Sequence, residues 1–248
     1  MQNDDKVKDF FLSGFYEEFW GWRFPEKDDR KTAESILELL EIRSGHVLDW
    51  CGGWGRVSQY FAEKGFRVSI LDINKSALER ASELFKGKGL DVDLINTDCR
   101  ETPEDINADD AVCLFNSVGF FSDEEQIKAF TSLNNALENG GRLVVDCMNL
   151  LFIQKHFKPV MTEENDGRRY VRTNDLDNEN NVMDSTFEMY DETGEKIKSG
   201  DFRQRLYSPD DLRTLIESAG FSVLDIYGNY DKKPFSSSNS KIVLVAQK

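Results

Sequence analysis

The sequence predicts an α/β fold built on a mostly parallel, doubly wound sheet. Three observations carry that expectation. Short, nearly uniform apolar runs alternate with amphipathic helical stretches from Val47 to Cys147, helix stops recur at glycines, and run after run ends in an acid or amide. Strands apolar on both sides need cover on both faces, so the helices belong above and below the sheet.

The organising stretch is VLDWCGGWGR, residues 47–56, followed directly by the amphipathic VSQYFAEKGF. That order reads strand, tight loop, helix. The strand delivers Asp49 to its C-terminal edge, Gly52, Gly53 and Gly55 let backbone approach a ligand, and the helix start points N–H groups at the same place. FRVSILD is a second strand ending at Asp72, placed to accept hydrogen bonds from ribose hydroxyls, while Asn74 also suits a cap for the helix KSALERASELF. VDLINTD is a third strand finishing at Asp98, before Cys99 and Arg100. DDAVCLF is the fourth, running into Asn116, Ser117 and Gly119. Ser122 caps a helix to Glu138, with Glu125 as its capping-box partner, and RLVVDC is the fifth strand. Right-handed crossovers then open Asp49, Asp72, Asp98, Asn116 and Asp146 onto one cleft.

Two segments break this rhythm. Residues 7–24 are rich in aromatics, with Phe11, Phe15 and Trp20 spaced to share a helical face, and Pro25 ends the element. This is a helix packed on the main domain or an aromatic lid with Tyr16, Trp20 and Arg23 as polar handles. An amphipathic helix follows over 29–42. From about 160 to 207, RRYVRTND, NVMDSTFEMYDE and GDFRQRLYS alternate between polar turns, the pattern of an antiparallel meander with one wet face. Its Arg-rich strands could offer cations to a carboxylate or phosphate, although alternation favours a solvated face. Ser208 and Pro209 then open a helix, and FSVLDIYG and KIVLVAQK close the chain as an antiparallel pair. The expected organisation is a lid at 1–44, a core at 45–158 and 208–248, and an antiparallel insert at 159–207.

Composition narrows the partners. There are 46 acidic against 31 basic side chains, a formal charge of −15, and no Lys/Arg cluster to neutralise a row of phosphates, so nucleic acid is disfavoured. The amino terminus is charged, and no apolar stretch approaches the roughly twenty residues that span a bilayer, which predicts a cytoplasmic protein with no membrane partner. Cys51, Cys99, Cys113 and Cys147 lack CxxC spacing and read as buried thiols, with no metal expected.

From Val47 to Lys248 the chain resembles the class I S-adenosylmethionine-dependent methyltransferases, in particular their small-molecule branch with an antiparallel insert after the fifth strand. VLDWCGGWGR looks like the family's first motif, Asp72 its ribose-binding acid, Asp98-Cys99-Arg100 its adenine-side motif, and SPDDLRTLIESAGFSVLDIYG its final helix and strand. The resemblance implies a Rossmann-like seven-stranded sheet with an antiparallel last strand, and S-adenosyl-L-methionine as cofactor. By that resemblance the loop of Asp49, Cys51, Gly52, Gly53, Gly55 and Arg56 surrounds the methionine moiety, Asp72 and Ile73 the ribose, and Asp98 and Cys99 the adenine. Phe115, Asn116 and Ser117 lie beside the sulfonium, with Asn116 and His156 as catalytic candidates. Tyr16, Trp20, Asn149, Arg203, Arg205 and Tyr207 are the candidates for contact with a small-molecule acceptor, and the chain is expected to act as a monomer or homodimer.

Two residues depart from the family's pattern. Cys51 replaces the usual first loop glycine, which a cysteine can do where φ is negative, and Trp54 replaces a small residue. A nicotinamide-binding oxidoreductase is the rival reading, because Gly53-x-Gly55-x-x-Ser58 approximates a dinucleotide fingerprint; Asp49 opposes it by repelling a pyrophosphate. A non-catalytic module that binds S-adenosylmethionine is the third.

Overall fold

A computed structural model describes residues 3–23 and 26–248; the expected stop at Pro25 lies outside the described residues. The core strands are β1 (His46–Trp50), β2 (Arg67–Asp72), β3 (Asp93–Asn96), β4 (Asp110–Cys113) and β5 (Arg142–Met148). After them come β6 (Val160–Asn165), β7 (Arg168–Asp177), β8 (Val182–Tyr190) and β9 (Lys196–Arg205), then β10 (Ser222–Tyr227) and β11 (Lys241–Gln247). Helices are α1 (Asn3–Leu12), α2 (Phe15–Trp20), α3 (Glu26–Leu40), α4 (Ser58–Glu63), α5 (Lys75–Gly87), α6 (Asp123–Asn135), α7 (Leu150–Lys155) and α8 (Pro209–Ser218).

The central sheet has seven strands in the order β10-β11-β5-β4-β1-β2-β3. β1 pairs in parallel with β2 and β4, and β11 runs antiparallel between β5 and β10. This is the doubly wound, mostly parallel sheet with an antiparallel last strand. β1 and β4 are buried along their whole length because helices cover both faces. One face packs on α6 and α8 through Phe130, Leu133, Leu212 and Ile216, the other on α3, α4 and α5 through Ile36, Phe61 and Phe85.

Several boundaries differ from expectation for local reasons. β3 stops at Asn96, and Asp98 caps a short 3-10 turn by accepting from the Arg100 N–H. Ser122 caps α6, whereas a reciprocal capping box forms between Ser208 and Asp211 at α8. The amino-terminal aromatic stretch is two helices broken at Gly14, whose φ of +70° no continuing helix can hold. The 159–207 segment has four strands rather than three: β6 pairs with β7 across the Asp166-Gly167 turn, in a sheet of order β6-β7-β8-β9.

The second sheet packs against α1 and α2. Phe10 makes ring contacts with Phe187 at 5.0 Å and Phe202 at 4.9 Å, and Phe19 meets Phe187 edge-on at 5.2 Å. Such pairs add about 0.5–1.5 kcal/mol each beyond area burial. The same sheet is sewn to the core at one seam. The Arg205 N–H donates to the Gly119 carbonyl at 2.7 Å, and Gln204 Nε2 donates to the Val118 carbonyl at 2.7 Å. The C-terminal edge of the parallel strands therefore opens under a roof made by the aromatic helices and the second sheet.

Candidate functional site

The loop after β1 folds around Asp49. This carboxylate is buried and accepts from Ser58 Oγ at the start of α4. Gly52 is glycine because a Cβ there would occupy the space of the Asp49 carboxylate. Burial pushes Asp49 up to about 6 against the hydrogen bond from Ser58 and the charge of Arg56. Arg56 itself pairs with Asp29 at 2.8 Å and lies over the Phe115 ring.

Asp72 stands at the tip of β2, where it accepts from the Gly53 N–H and the Asn74 N–H, both at 2.8 Å. Burial raises its proton affinity, opposed by the backbone donors Asn74, Gly53 and Ile73. Gly53, at φ +56°, leaves open space where a Cβ would stand. Asn74 caps α5 and also donates to the Phe11 carbonyl at 2.7 Å, which ties α1 over the mouth of the loop.

Cys51 has φ +63°, so the condition of negative φ fails and the thiol sits on a left-handed residue. The Gly52 N–H holds the turn by donating to the Leu71 carbonyl at 3.2 Å. The Cys51 thiol is pushed well above its ordinary range by a hydrogen bond with Cys99, then by burial. Phe115 and Asn116, at φ +61° and +69°, form a second left-handed turn after β4. It is fixed by the Phe115 N–H donating to Asp146 and the Met148 N–H donating to Asn116 Oδ1. Such residues cost roughly 1–3 kcal/mol each and persist where the surroundings over-determine them.

Two adjoining cavities result. The larger, about 450 Å³, extends from Asp49, Gly53 and Arg56 past Asn116 and Ser117 to Tyr16 and Trp20 and on to the second sheet. The smaller, about 110 Å³, lies beyond Asp72 between Ile73, Asp98, Cys99 and Phe121, beneath Val7 and Lys8 of α1. They share Phe11, Cys51, Asp72, Ser117 and Phe120. Burial would push Asp98 up, but the hydrogen bonds and charge of Arg100 outweigh it and hold the carboxyl low. One elongated recess thus carries an acid at its centre, an acid near each side of that centre, and an apolar chamber at one end.

Residues 47–141 match the model of a methyltransferase-domain family. The chain carries a methyltransferase domain, on the Rossmann-like fold that S-adenosylmethionine-dependent methyltransferases share. The chain is 28% identical over 198 residues to the ubiquinone/menaquinone biosynthesis C-methyltransferase UbiE of Haemophilus ducreyi, covering 77% of this chain and 70% of the relative. A solved S-adenosylmethionine-dependent methyltransferase from Clostridium acetobutylicum shares the fold at a TM-score of 0.79 with 17% identity, over 95% of this chain and 96% of that one. The CcbJ methyltransferase of Streptomyces caelestis gives a TM-score of 0.79 with 19% identity, over 98% and 96%. The glycine loop, the acid at the tip of β2 and the open space over Gly53 fit S-adenosyl-L-methionine.

Not every residue singled out by the sequence reaches the recess. Gly55 faces inward, where a Cβ would run into Ile70 and Phe85, so it serves core packing. His156 is a correction: it is exposed at the end of α7, its ring tilted against Phe152 at 4.5 Å, outside both cavities. Asn149 is fully buried and spent on capping α7 and on donating to the Asn239 carbonyl. Tyr207 is buried with its hydroxyl donating to Asp123. Arg203 and Arg205 point away because β9 alternates: Phe202 and Gln204 face inward, Arg203 grips Asp184, and Arg205 binds the Asn180 carbonyl.

The reverse case is Arg172, which the Arg-rich strand concealed. β7 turns Tyr170, Arg172 and Asn174 to one face, and Arg172 lines the larger cavity. The signal available was parity, since Tyr170 two residues earlier is an obvious inward residue. Trp54 contributes as well, stacked beneath Arg80 at the cavity wall and 6.5 Å from the Tyr16 ring. Among the described residues no three of His, Cys, Asp and Glu form a metal-binding group, and no helix is long and apolar enough to cross a membrane.

Proposed function

We propose that the elongated recess holds S-adenosyl-L-methionine across the β1 loop and that its apolar end holds a small-molecule acceptor, with α1, α2 and the β6–β9 sheet as a substrate cap. When bound, the cofactor supplies an activated, electrophilic methyl group. Asp49 and Arg56 receive the methionine end, Asp72 and Ile73 the ribose, and Asp98 and Cys99 the adenine. The observation that carries this reading is the continuity of the two cavities around Asp72, flanked by Asp98 on one side and the aromatic chamber on the other.

What the chain supplies is alignment and dryness. Tyr16, Trp20, Phe187 and Phe202 exclude water from the chamber. Asn116 spends its side chain on Met148 and Gln204, so its part is to position: it joins the ends of β4 and β5 to the cap, and with it the Phe115 turn. No histidine lines the cavities among the described residues; Asp146 and Lys241 line the larger one, with Lys241 donating to Asp146 at 3.2 Å and to Tyr230 at 3.3 Å. The protein works in the cytoplasm on a small molecule, as monomer or homodimer.

Incubating the full chain with methyl-tritiated S-adenosylmethionine and a library of small acids, phenols and amines tests this. Label is expected in an extractable small product. Tight donor binding with label appearing in no acceptor would favour a non-catalytic binding module instead.

A further inference from the structure

Three cations line the larger cavity, and two are answered. Arg56 pairs with Asp29 at 2.8 Å and Lys241 with Asp146 at 3.2 Å. The third, Arg172, has no carboxylate partner among the described residues. Its guanidinium is nevertheless fixed. Nε donates to Asn174 Oδ1 at 2.7 Å and Nη2 to Ser185 Oγ at 3.2 Å, while Ser185 Oγ donates to Asn174 Oδ1 at 2.9 Å. Asn174 is itself buried and held by donating to the Lys158 carbonyl at 3.0 Å. The ring of Phe187 lies alongside, 5.2 Å from the guanidinium carbon. Burial alone lowers the Arg172 pKa to about 10, with no neighbouring charge offsetting it.

A desolvated cation without a counter-ion is costly, and proteins keep such groups where a ligand supplies the missing charge. Here the neutral partners restrain one edge of the guanidinium and leave Nη1 without a protein acceptor among the described residues, in a chamber otherwise walled by Trp20, Phe187, Phe202, Met148 and Ile153. We infer that the acceptor is an amphiphilic acid, whose carboxylate or phosphate pairs with Arg172 while its apolar body fills the aromatic chamber. The inference rests on the methyl-transfer reading of this cavity. Arg172 is then the residue that selects acid over neutral analogue, since planar guanidinium matches either anion through two parallel N–H donors.

The test titrates the full chain, saturated with S-adenosylhomocysteine, with 3-phenylpropionate, phenyl phosphate and the neutral 3-phenylpropionamide. At least one acid is expected to bind roughly thirtyfold more tightly than the amide, the range for a desolvated charge pair. Arg172→Met should abolish that preference, and Arg172→Lys should retain part of it. Which acid is preferred distinguishes a carboxylate source from a phosphate source. Equal response to acids and amide, including no response to any, would overturn the inference, as would a preference that survives Arg172→Met. The thermal shift produced by S-adenosylhomocysteine is read in each variant; its absence from the wild type would refute the methyl-transfer reading, and its retention in the variants reports that they fold.

Discussion

Asp49→Asn is expected to stabilise the ligand-free protein while crippling its cofactor site. Burial raises the Asp49 pKa from 3.8 to about 6, so the folded state binds a proton there more tightly than the unfolded chain does. Stability from this group is present below about pH 4 and is lost as pH rises through about 6, because the buried site must then ionise. The shift corresponds to roughly 3 kcal/mol as an upper bound, at 1.36 kcal/mol per unit. The isosteric amide can still accept from Ser58 and never ionises, so its advantage should be near zero at about pH 4 and fully open at about pH 8. Cofactor affinity should move the other way, falling on the order of thirtyfold or more for loss of a buried charge partner to the methionine ammonium. Urea unfolding of both proteins across that pH range checks the first half and calorimetric titration the second. A variant destabilised equally at all pH values would show that Asp49 acts through shape rather than charge.

Gly119→Ala is expected to cost more than any other glycine substitution in the loops above the sheet. Gly119 has φ +92°, and a Cβ would meet the backbone carbonyl of Arg205, which has no freedom to withdraw because the Arg205 N–H is bonded to the Gly119 carbonyl at 2.7 Å. The Gly119 N–H is also committed, donating to Gln126 Oε1 at 2.9 Å. Left-handed strain of about 1–2 kcal/mol adds to the overlap, for a loss of about 3 kcal/mol or more. Gly194, at φ +85° in the β8–β9 turn, has open space for a Cβ and provides the contrast, with strain alone. Chemical denaturation should separate the two variants by about 2 kcal/mol. Because the clash lies at the seam between the central and the second sheet, Gly119→Ala should lose methyl transfer before it loses cofactor binding. Equal midpoints for the two variants would mean that the seam yields.

The features legible in the sequence are those enforced locally. Uniform apolar strands demanded a covered parallel sheet, and an acid at the end of such a strand had to emerge at its C-terminal edge, which put Asp49 and Asp72 where they stand. Asp98 reached the same edge although β3 ended two residues early, because the Arg100 N–H captures its carboxylate. The acceptor end was harder to read for a geometric reason. Alternation on an antiparallel strand divides residues into two faces without saying which face turns inward, and Arg203 and Arg172 look alike in the chain. The neighbours decide it: Phe202 and Gln204 take the inner face of β9, and Tyr170 and Asn174 carry Arg172 with them on β7. His156 failed in a different way. Its position after β5 suggested the site, but α7 carries it one turn outward onto Phe152. Cys51 shows that a left-handed residue need not be glycine where a backbone bond to Leu71 and contact with Cys99 hold the turn.

The most direct test of the central claim is calorimetric titration of the wild type and of Asp72→Ala with S-adenosylhomocysteine, with NAD as control. The wild type should bind S-adenosylhomocysteine and, with Asp49 set against a pyrophosphate, not NAD, and Asp72→Ala should abolish the binding heat. Binding of NAD alone, or S-adenosylhomocysteine binding unaffected by Asp72→Ala, would contradict the account.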